Sequence, residues 1–326
     1  MKRIVSRCLV ALALLLVIAS GASAALAQDA TPIAGTCDAP ELPPGTPTPM
    51  EDMEMGGPPA DDATPTGGDA TPTGDDAGPP MAEASPMPEG TPADAATAER
   101  VTAAIANPIA CYNAGDYLGV GALFTPAGLM DEFGTANPYD LDFFLSGGPP
   151  LALLAVDDVQ VLDDGRFSAD VLSSFGGTQL NRERWLLVES GDYLLVDATP
   201  DLAVEAPEGA VTIEVAMVDY AFELSSTTAP ANTPLVFDVT NTGEYPHEVV
   251  IAQLPEGMTA EQLLDEATNF EEVMFIGFTF SEGGEPAPDL VLTGLEAGTY
   301  TLVCFIDIPD GIPHVARGMV AELVVE

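Results

Sequence analysis

Apolar and polar residues alternate over two separate stretches of this chain, and each stretch predicts strands. In the first, residues 156–162, 166–175, 184–189 and 193–196 carry a period of two, the repeat of a strand with one buried face. Asp164-Gly165 and Ser190-Gly191 stand between these segments, where hairpin turns belong. Ahead of them the period changes. Residues 98–114 read as a helix bent near Pro108, with Thr97 placed to cap its start and Gly115 its end. A second short helix is expected over 117–124. Residues 98–200 therefore predict a small α+β domain.

The second stretch, 210–326, reads as all-β. Strand-like runs fall at 211–216, 217–224, 235–240, 249–252, 299–304 and 320–325, separated by Pro, Gly and Asn. Short strands of this kind predict a Greek-key sandwich. An insertion lies between Pro255 and Pro288, and its part 259–269 reads as helical, with Thr259 and Gln262 at capping-box spacing.

Residues 28–97 show neither period. Pro, Gly, Thr, Ala and Asp dominate, and the unit DATPTG at 62–67 recurs at 69–74. Such a tract cannot bury enough apolar surface to offset its ordering entropy, so it predicts a disordered, extended acidic tether. Residues 1–27 carry Lys2, Arg3 and Arg7, an apolar run over 9–18 and the small residues Ala25-Leu26-Ala27 before Gln28. That is the layout of a cleaved export signal, and the apolar run is short of the ~20 residues a spanning helix needs. The expected location is outside the cytoplasm: periplasm, cell surface or medium. No later segment is long and apolar enough to span a membrane.

Charge narrows the partners. The formal net charge over 326 residues is −44. Beyond the signal, Arg100, Arg166, Arg182, Arg184 and Arg317 are the only arginines, and there is no lysine. Such a surface repels nucleic acid and anionic lipid. A basic protein partner fits it. Solubility in a salty or acidic exterior accounts for most of the charge.

The chain has 4 cysteines and 2 histidines. Cys8 lies in the signal, Cys37 in the tether and Cys111 on the first helix, so no disulfide framework is expected. Cys304 ends a strand, and an odd thiol in an exported protein asks for a role such as metal ligation. Both histidines fall in the last stretch. His247 precedes a strand-like run in NTGEYPHEVVI (241–251), and His314 sits in CFIDIPDGIPHVARGM (304–319). Taken singly, each of these residues is an ordinary core or surface side chain. Taken in order, one histidine before a strand and then Cys304, His314 and Met319 close together form a ligand set. Two imidazoles and a thiolate with a weak axial thioether suit copper in both of its oxidation states, whereas structural zinc sites rarely use Met.

That order resembles the cupredoxin family, such as plastocyanin and the blue-copper domain of copper nitrite reductases, over roughly the last third of the chain. The segment MVDYAFEL at 217–224 resembles the family's opening strands. The resemblance implies one type 1 copper held by His247, Cys304, His314 and Met319, and single-electron transfer to a redox partner. Four residues separate His314 from Met319, a common blue-copper spacing, but nine separate Cys304 from His314, a long gap closest to the loop of nitrite reductase domains. Pro309 and Pro313 could stiffen that loop. Glu248 stands where many members carry Asn or Ser, which leaves Asn241 as a candidate for outer hydrogen bonding to the site. In the family the C-terminal histidine lies near the surface in an apolar patch. Here Ile308, Pro309, Ile312, Pro313 and Val315 flank His314, and that loop is the expected docking face.

Residues 98–200 resemble the SnoaL-like, nuclear-transport-factor-like cone fold through ACYNAGD at 110–116 and WLLVESGDY at 185–193. That fold forms a pocket which could take a small molecule. The stretch has no histidine. Asp116, Asp131, Asp140 and Tyr139 could in principle do acid–base work, but nothing pairs them, and they read as solvated surface groups. No catalytic residues are assigned and no enzymatic activity is expected, because no histidine is spare for a further copper centre. The alternative to an electron carrier is a copper-binding or delivery protein. Met50, Met53 and Met55 in the tether would suit Cu(I) for that role, although chance in a Met-containing linker is the better account of them.

Overall fold

The computed structural model describes residues 31–48, 88–264, 272–307 and 311–326. The signal segment and Met50, Met53 and Met55 lie outside the described residues, as do Ile308, Pro309 and most of the helical end of the insertion. Among the described residues, no helix is long and apolar enough to cross a membrane.

The first unit opens with β1 (Gly90–Pro92) and four helices: α1 (Ala95–Asn113), α2 (Tyr117–Ala122), α3 (Pro126–Phe133) and α4 (Leu141–Leu145). The helices lead into an antiparallel meander of β2 (Leu151–Leu162), β3 (Phe167–Phe175), β4 (Gln179–Ser190) and β5 (Tyr193–Ala198). α1 begins before Thr97 because Asp94 is the cap: its carboxylate accepts the Thr97 N–H at 2.8 Å. Val101, Ile105, Ile109 and Tyr112 recur at helical spacing on one face and are buried against Leu153, Phe167, Val171 and Leu187 of the sheet. Gly165 and Gly191 take φ of 85° and 61° in the hairpins expected there. The short helices α3 and α4 were not legible. α3 is built by Thr125, whose hydroxyl accepts the Gly128 N–H, with Pro126 at its first turn.

The second unit consists of β6 (Val211–Val218), β7 (Ala221–Leu224), β8 (Thr228–Ala229), β9 (Leu235–Asn241), β10 (His247–Gln253), β11 (Met274–Ser281), β12 (Leu290–Leu292), β13 (Gly298–Val303) and β14 (Val320–Val325). β11, β10, β13, β14 and β8 form one sheet, and β12, β9, β6 and β7 lie in another. Inward residues of both, among them Ile213, Phe237, Ile251, Leu290 and Leu302, share one buried core, so the unit is a β-sandwich. The expected helix in the insertion is reduced, over the described residues, to a 3-10 turn at Ala260–Leu264. Half of the anticipated capping box is present, the Gln262 side chain accepting the Thr259 N–H at 2.8 Å. β11 was not anticipated: its residues are buried on both faces for much of its length, so the period-two signal is missing.

Two findings correct the reading of the N-terminal half. First, Cys37 and Cys111 form a disulfide across 74 residues. Residues 31–48 are accordingly not a free tether but a strap on the first unit. The Ile33 N–H donates to Leu153 O at 2.8 Å, and the Asp38 N–H to Asn107 Oδ1 at 2.8 Å. Second, Asp140 is not a solvated carboxylate. It is 2% exposed and accepts hydrogen bonds from the Thr48 N–H and hydroxyl, the Thr135 hydroxyl and the Asn137 amide. Tyr139 donates to Pro43 O, Asp116 caps α2 through Gly119 N–H, and Asp131 accepts from Thr199 N–H. These groups hold the strap and the helices in place.

The two units are joined by sheet. β12 pairs antiparallel with β4 (Val291 with Leu180, Leu292 with Gln179) and with β9 on its other edge. β4's strand edge is thereby covered by the second unit. Gln179 reinforces the seam: its Oε1 accepts the Phe278 N–H at 2.9 Å.

Candidate metal centre

His247 is the first residue of β10, and Cys304 follows the last residue of β13. The two strands are neighbours in one sheet, with Val250 opposite Val303, so both side chains arrive at the same end of the sandwich. Backbone bonds on either side of the long gap bring His314 back to Cys304. The His314 N–H donates to Ile306 O at 3.0 Å, the Val315 N–H to Cys304 O at 2.8 Å, and Asp307 bridges to Pro313. Chain reversal therefore returns His314 to Cys304 whatever the length of the excursion. A 3-10 turn at His314–Arg317 follows, closed by Gly318 at φ 93°, and the Met319 N–H donates to His314 O at 3.1 Å.

The side chains of His247, Cys304 and His314 converge, with one ligand atom from each within 4.8 Å of the others. The two Nδ1 atoms are 2.9 Å apart, and Cys304 Sγ lies 3.3 Å from His314 Nδ1 and 3.9 Å from His247 Nδ1. All three residues are buried at 0% exposure. Met319 is buried in the same core cluster as Cys304 and is tied to His314 by its amide.

Burial sets the proton chemistry. Desolvation lowers the pKa of His247, against a partly compensating hydrogen bond and charge from Asp219. Desolvation, with His247 as a second cause, lowers His314 to about 4. Both imidazoles are therefore neutral near pH 7, the form that offers a lone pair. Burial pushes the Cys304 thiol up, and the Glu248 carboxyl raises it further, against smaller lowering hydrogen bonds from backbone at Glu248 and Ile306. A thiol and two neutral imidazoles buried and converging on one point form a donor set that fits a soft-to-borderline metal ion.

The surroundings fix the ligands. Asp219 Oδ1 lies 3.3 Å from His247 Nε2 and accepts the Glu244 N–H at 2.9 Å, so the nitrogen aimed inward is Nδ1. Asn241 shapes the loop before His247, donating to Tyr245 O and Ser281 O and accepting from Gly243 N–H. Glu248, 1% exposed, accepts the Phe305 N–H at 2.9 Å through Oε1 and thereby ties β10 to the residue after Cys304. Asp219 is the neighbour that the pattern did not single out, and Glu248 stood out only as a departure from the family pattern; contact across strands identifies what each one touches. Departing from the expectation, His314 is not at the surface. Tyr220 packs edge-on against its ring at 5.3 Å and Tyr245 lies tilted to it at 6.4 Å, while the Arg317 guanidinium sits over Tyr220. Tyr220 takes φ of 67°, the left-handed conformation that turns β6 into β7 and places the ring there.

No protein-family model matches the chain, and no curated protein matches it. Solved structures do. Na-dithionite-reduced auracyanin from the photosynthetic bacterium Roseiflexus castenholzii is 24% identical, with 36% of this chain and 99% of that one covered and a TM-score of 0.28. Auracyanin A, a "blue" copper protein from the green thermophilic photosynthetic bacterium Chloroflexus aurantiacus, is 21% identical over 36% of this chain and 100% of that one, with a TM-score of 0.25. Rusticyanin from Thiobacillus ferrooxidans is 21% identical over 37% and 79%, with a TM-score of 0.25.

Proposed function

We propose that this protein is an exported single-copper protein which passes one electron at a time, with His247, Cys304, His314 and Met319 as the ligands of a type 1 centre. The observation that carries the reading is the convergence of both Nδ1 atoms and the Cys304 thiol within 4.8 Å in a fully buried pocket. Copper bound there would supply a one-electron couple whose potential is tuned by the axial ligand and by the polarity around the sulfur.

The chain's own groups do the rest. Asp219 orients His247, and Glu248 anchors the backbone beside Cys304, so the ligands are held by strands and hydrogen bonds and need little rearrangement between oxidation states. The sandwich core excludes water. The electron's exit is the Tyr220–Tyr245 cover over His314 together with Ile312, which is 42% exposed beside it in sequence. Contacts of this kind suit small, transient redox interfaces. With acids dominating the chain, a basic partner would be steered in, and the rate would fall with salt.

The test is the visible spectrum of the purified protein after Cu(II) is added, with Cys304→Ser as control. An intense thiolate-to-copper band that the control lacks supports the reading. Copper uptake without colour would point to storage or delivery, and no uptake would overturn the proposal.

A further inference from the structure

A partly open cavity of about 300 Å³ lies at the seam between the two units. That is the lower end of the range in which small-molecule sites fall, and its walls have the expected make-up, mostly apolar with a few polar groups. One side is aromatic. Phe124 packs on Trp185 and Phe133 at centroid distances of 6.3 and 5.4 Å, and all three line the space. The opposite side belongs to the second unit: Phe278 and Phe280 of β11 line it, with Phe278 packed across the seam on Phe175 at 6.1 Å. The first unit supplies most of the lining, and the second closes one side of it.

Acids outnumber cations in its wall. Glu132, Glu183, Asp201 and Asp289 all line it. Glu183 accepts the Trp185 indole N–H at 3.0 Å, which turns that carboxylate to the aromatic wall. Arg182 is the one cation in the lining, and its guanidinium is engaged by Asp170 at 3.1 Å. Asp289 stands at the exposed rim, its carboxyl raised by partial desolvation and by the neighbouring Asp238.

We infer that this inter-unit cavity is a binding site for a small organic cation, an aromatic or alkyl body carrying a protonated amine. The aromatic faces take the apolar body and attract the cation through their quadrupoles. The carboxylates attract the ammonium and repel anions through their formal charge. The site is independent of the metal centre, so either reading stands if the other fails.

The protein carries its own reporter. Trp185 is the single tryptophan, 7% exposed and in the cavity wall. The full-length protein is titrated with three matched probes, biphenyl-4-ylmethylammonium, biphenyl-4-ylmethanol and biphenyl-4-carboxylate, following Trp185 emission and calorimetric heat. The ammonium should bind at least ~10-fold more tightly than the carboxylate, with the alcohol between them. In Glu132→Gln/Asp201→Asn that preference should shrink several-fold while the alcohol is unaffected. Leu202→Phe, which fills the cavity from a half-buried position, should weaken all three, and its thermal melt shows whether it is folded. No binding of any probe at millimolar concentration would overturn the site. Equal binding of ammonium and carboxylate would overturn the ligand class.

Discussion

The main-chain N–H of Phe305 donates to Glu248 Oε1 at 2.9 Å, and the other oxygen of that carboxylate, Oε2, is buried without a hydrogen-bond partner. A carboxyl group thus does the tethering beside Cys304, in a place too dry for its charge.

Burial pushes the Glu248 carboxyl up to about 7 from an ordinary value of 4.5. The folded protein therefore holds this proton at pH values where the unfolded chain has lost it. The resulting stabilisation is fully present below pH 4.5 and is lost as pH rises toward 7, about 3 kcal/mol in all. The two histidines, whose pKa values lie below their usual 6.5, act oppositely: they cost stability as pH falls through 6.5 toward 4. Comparison with Glu248→Gln isolates the carboxyl. Denaturant unfolding of the metal-free proteins at pH 5 and pH 7.5 should show the wild type losing stability relative to the variant on going to the higher pH. Parallel pH profiles would contradict the buried, protonated carboxyl.

If Cys304 ligates copper as proposed, uptake expels its proton, because burial and the nearby Glu248 hold the thiol in its protonated form. Apparent copper affinity should rise about tenfold per pH unit between pH 6 and 8. Competition against a chelator of known pH dependence measures it. A pH-independent affinity would mean that Cys304 is not a ligand.

Asp219 Oδ1 meets His247 Nε2 and the Glu244 N–H at once. Asp219→Ala frees the ring to rotate, and copper affinity should drop on the order of 10- to 100-fold with the thermal melt of the apo-protein little changed. Asp219→Asn keeps an acceptor for the backbone and should recover part of the loss.

The Cys37–Cys111 bond closes 74 residues and pins the strap 31–48 to the first unit. Cys37→Ser/Cys111→Ser should lower unfolding free energy by about 4 kcal/mol by the chain-entropy relation. The strap should become a site of proteolytic cleavage, and the copper spectrum should not change, since the bond lies in the other unit. Denaturant curves and limited proteolysis test both statements.

Much was legible without coordinates, and for a local reason. The period of two over 156–175 and 235–252 marks strands because side chains alternate faces, and a histidine-poor chain that places His247, Cys304, His314 and Met319 in that order leaves few other uses for them. Asp164-Gly165 announces its hairpin because glycine alone takes φ of 85° without strain.

What only the tertiary structure decided depends on contacts between segments distant in sequence. Composition marked Cys37 as part of a tether, since nothing within a few residues of it reveals a partner 74 positions away. The nine-residue gap to His314 looked unfavourable until backbone bonds from His314 to Ile306 and Val315 to Cys304 folded it away. The cover of His314 by Tyr220, the grip of Glu248 on Phe305, and the β4–β12 seam with its cavity arise the same way. Short-range pattern determines which residues are strand, turn or ligand candidate; which of them meet is set by the packing of whole sheets, a free energy that no single segment carries.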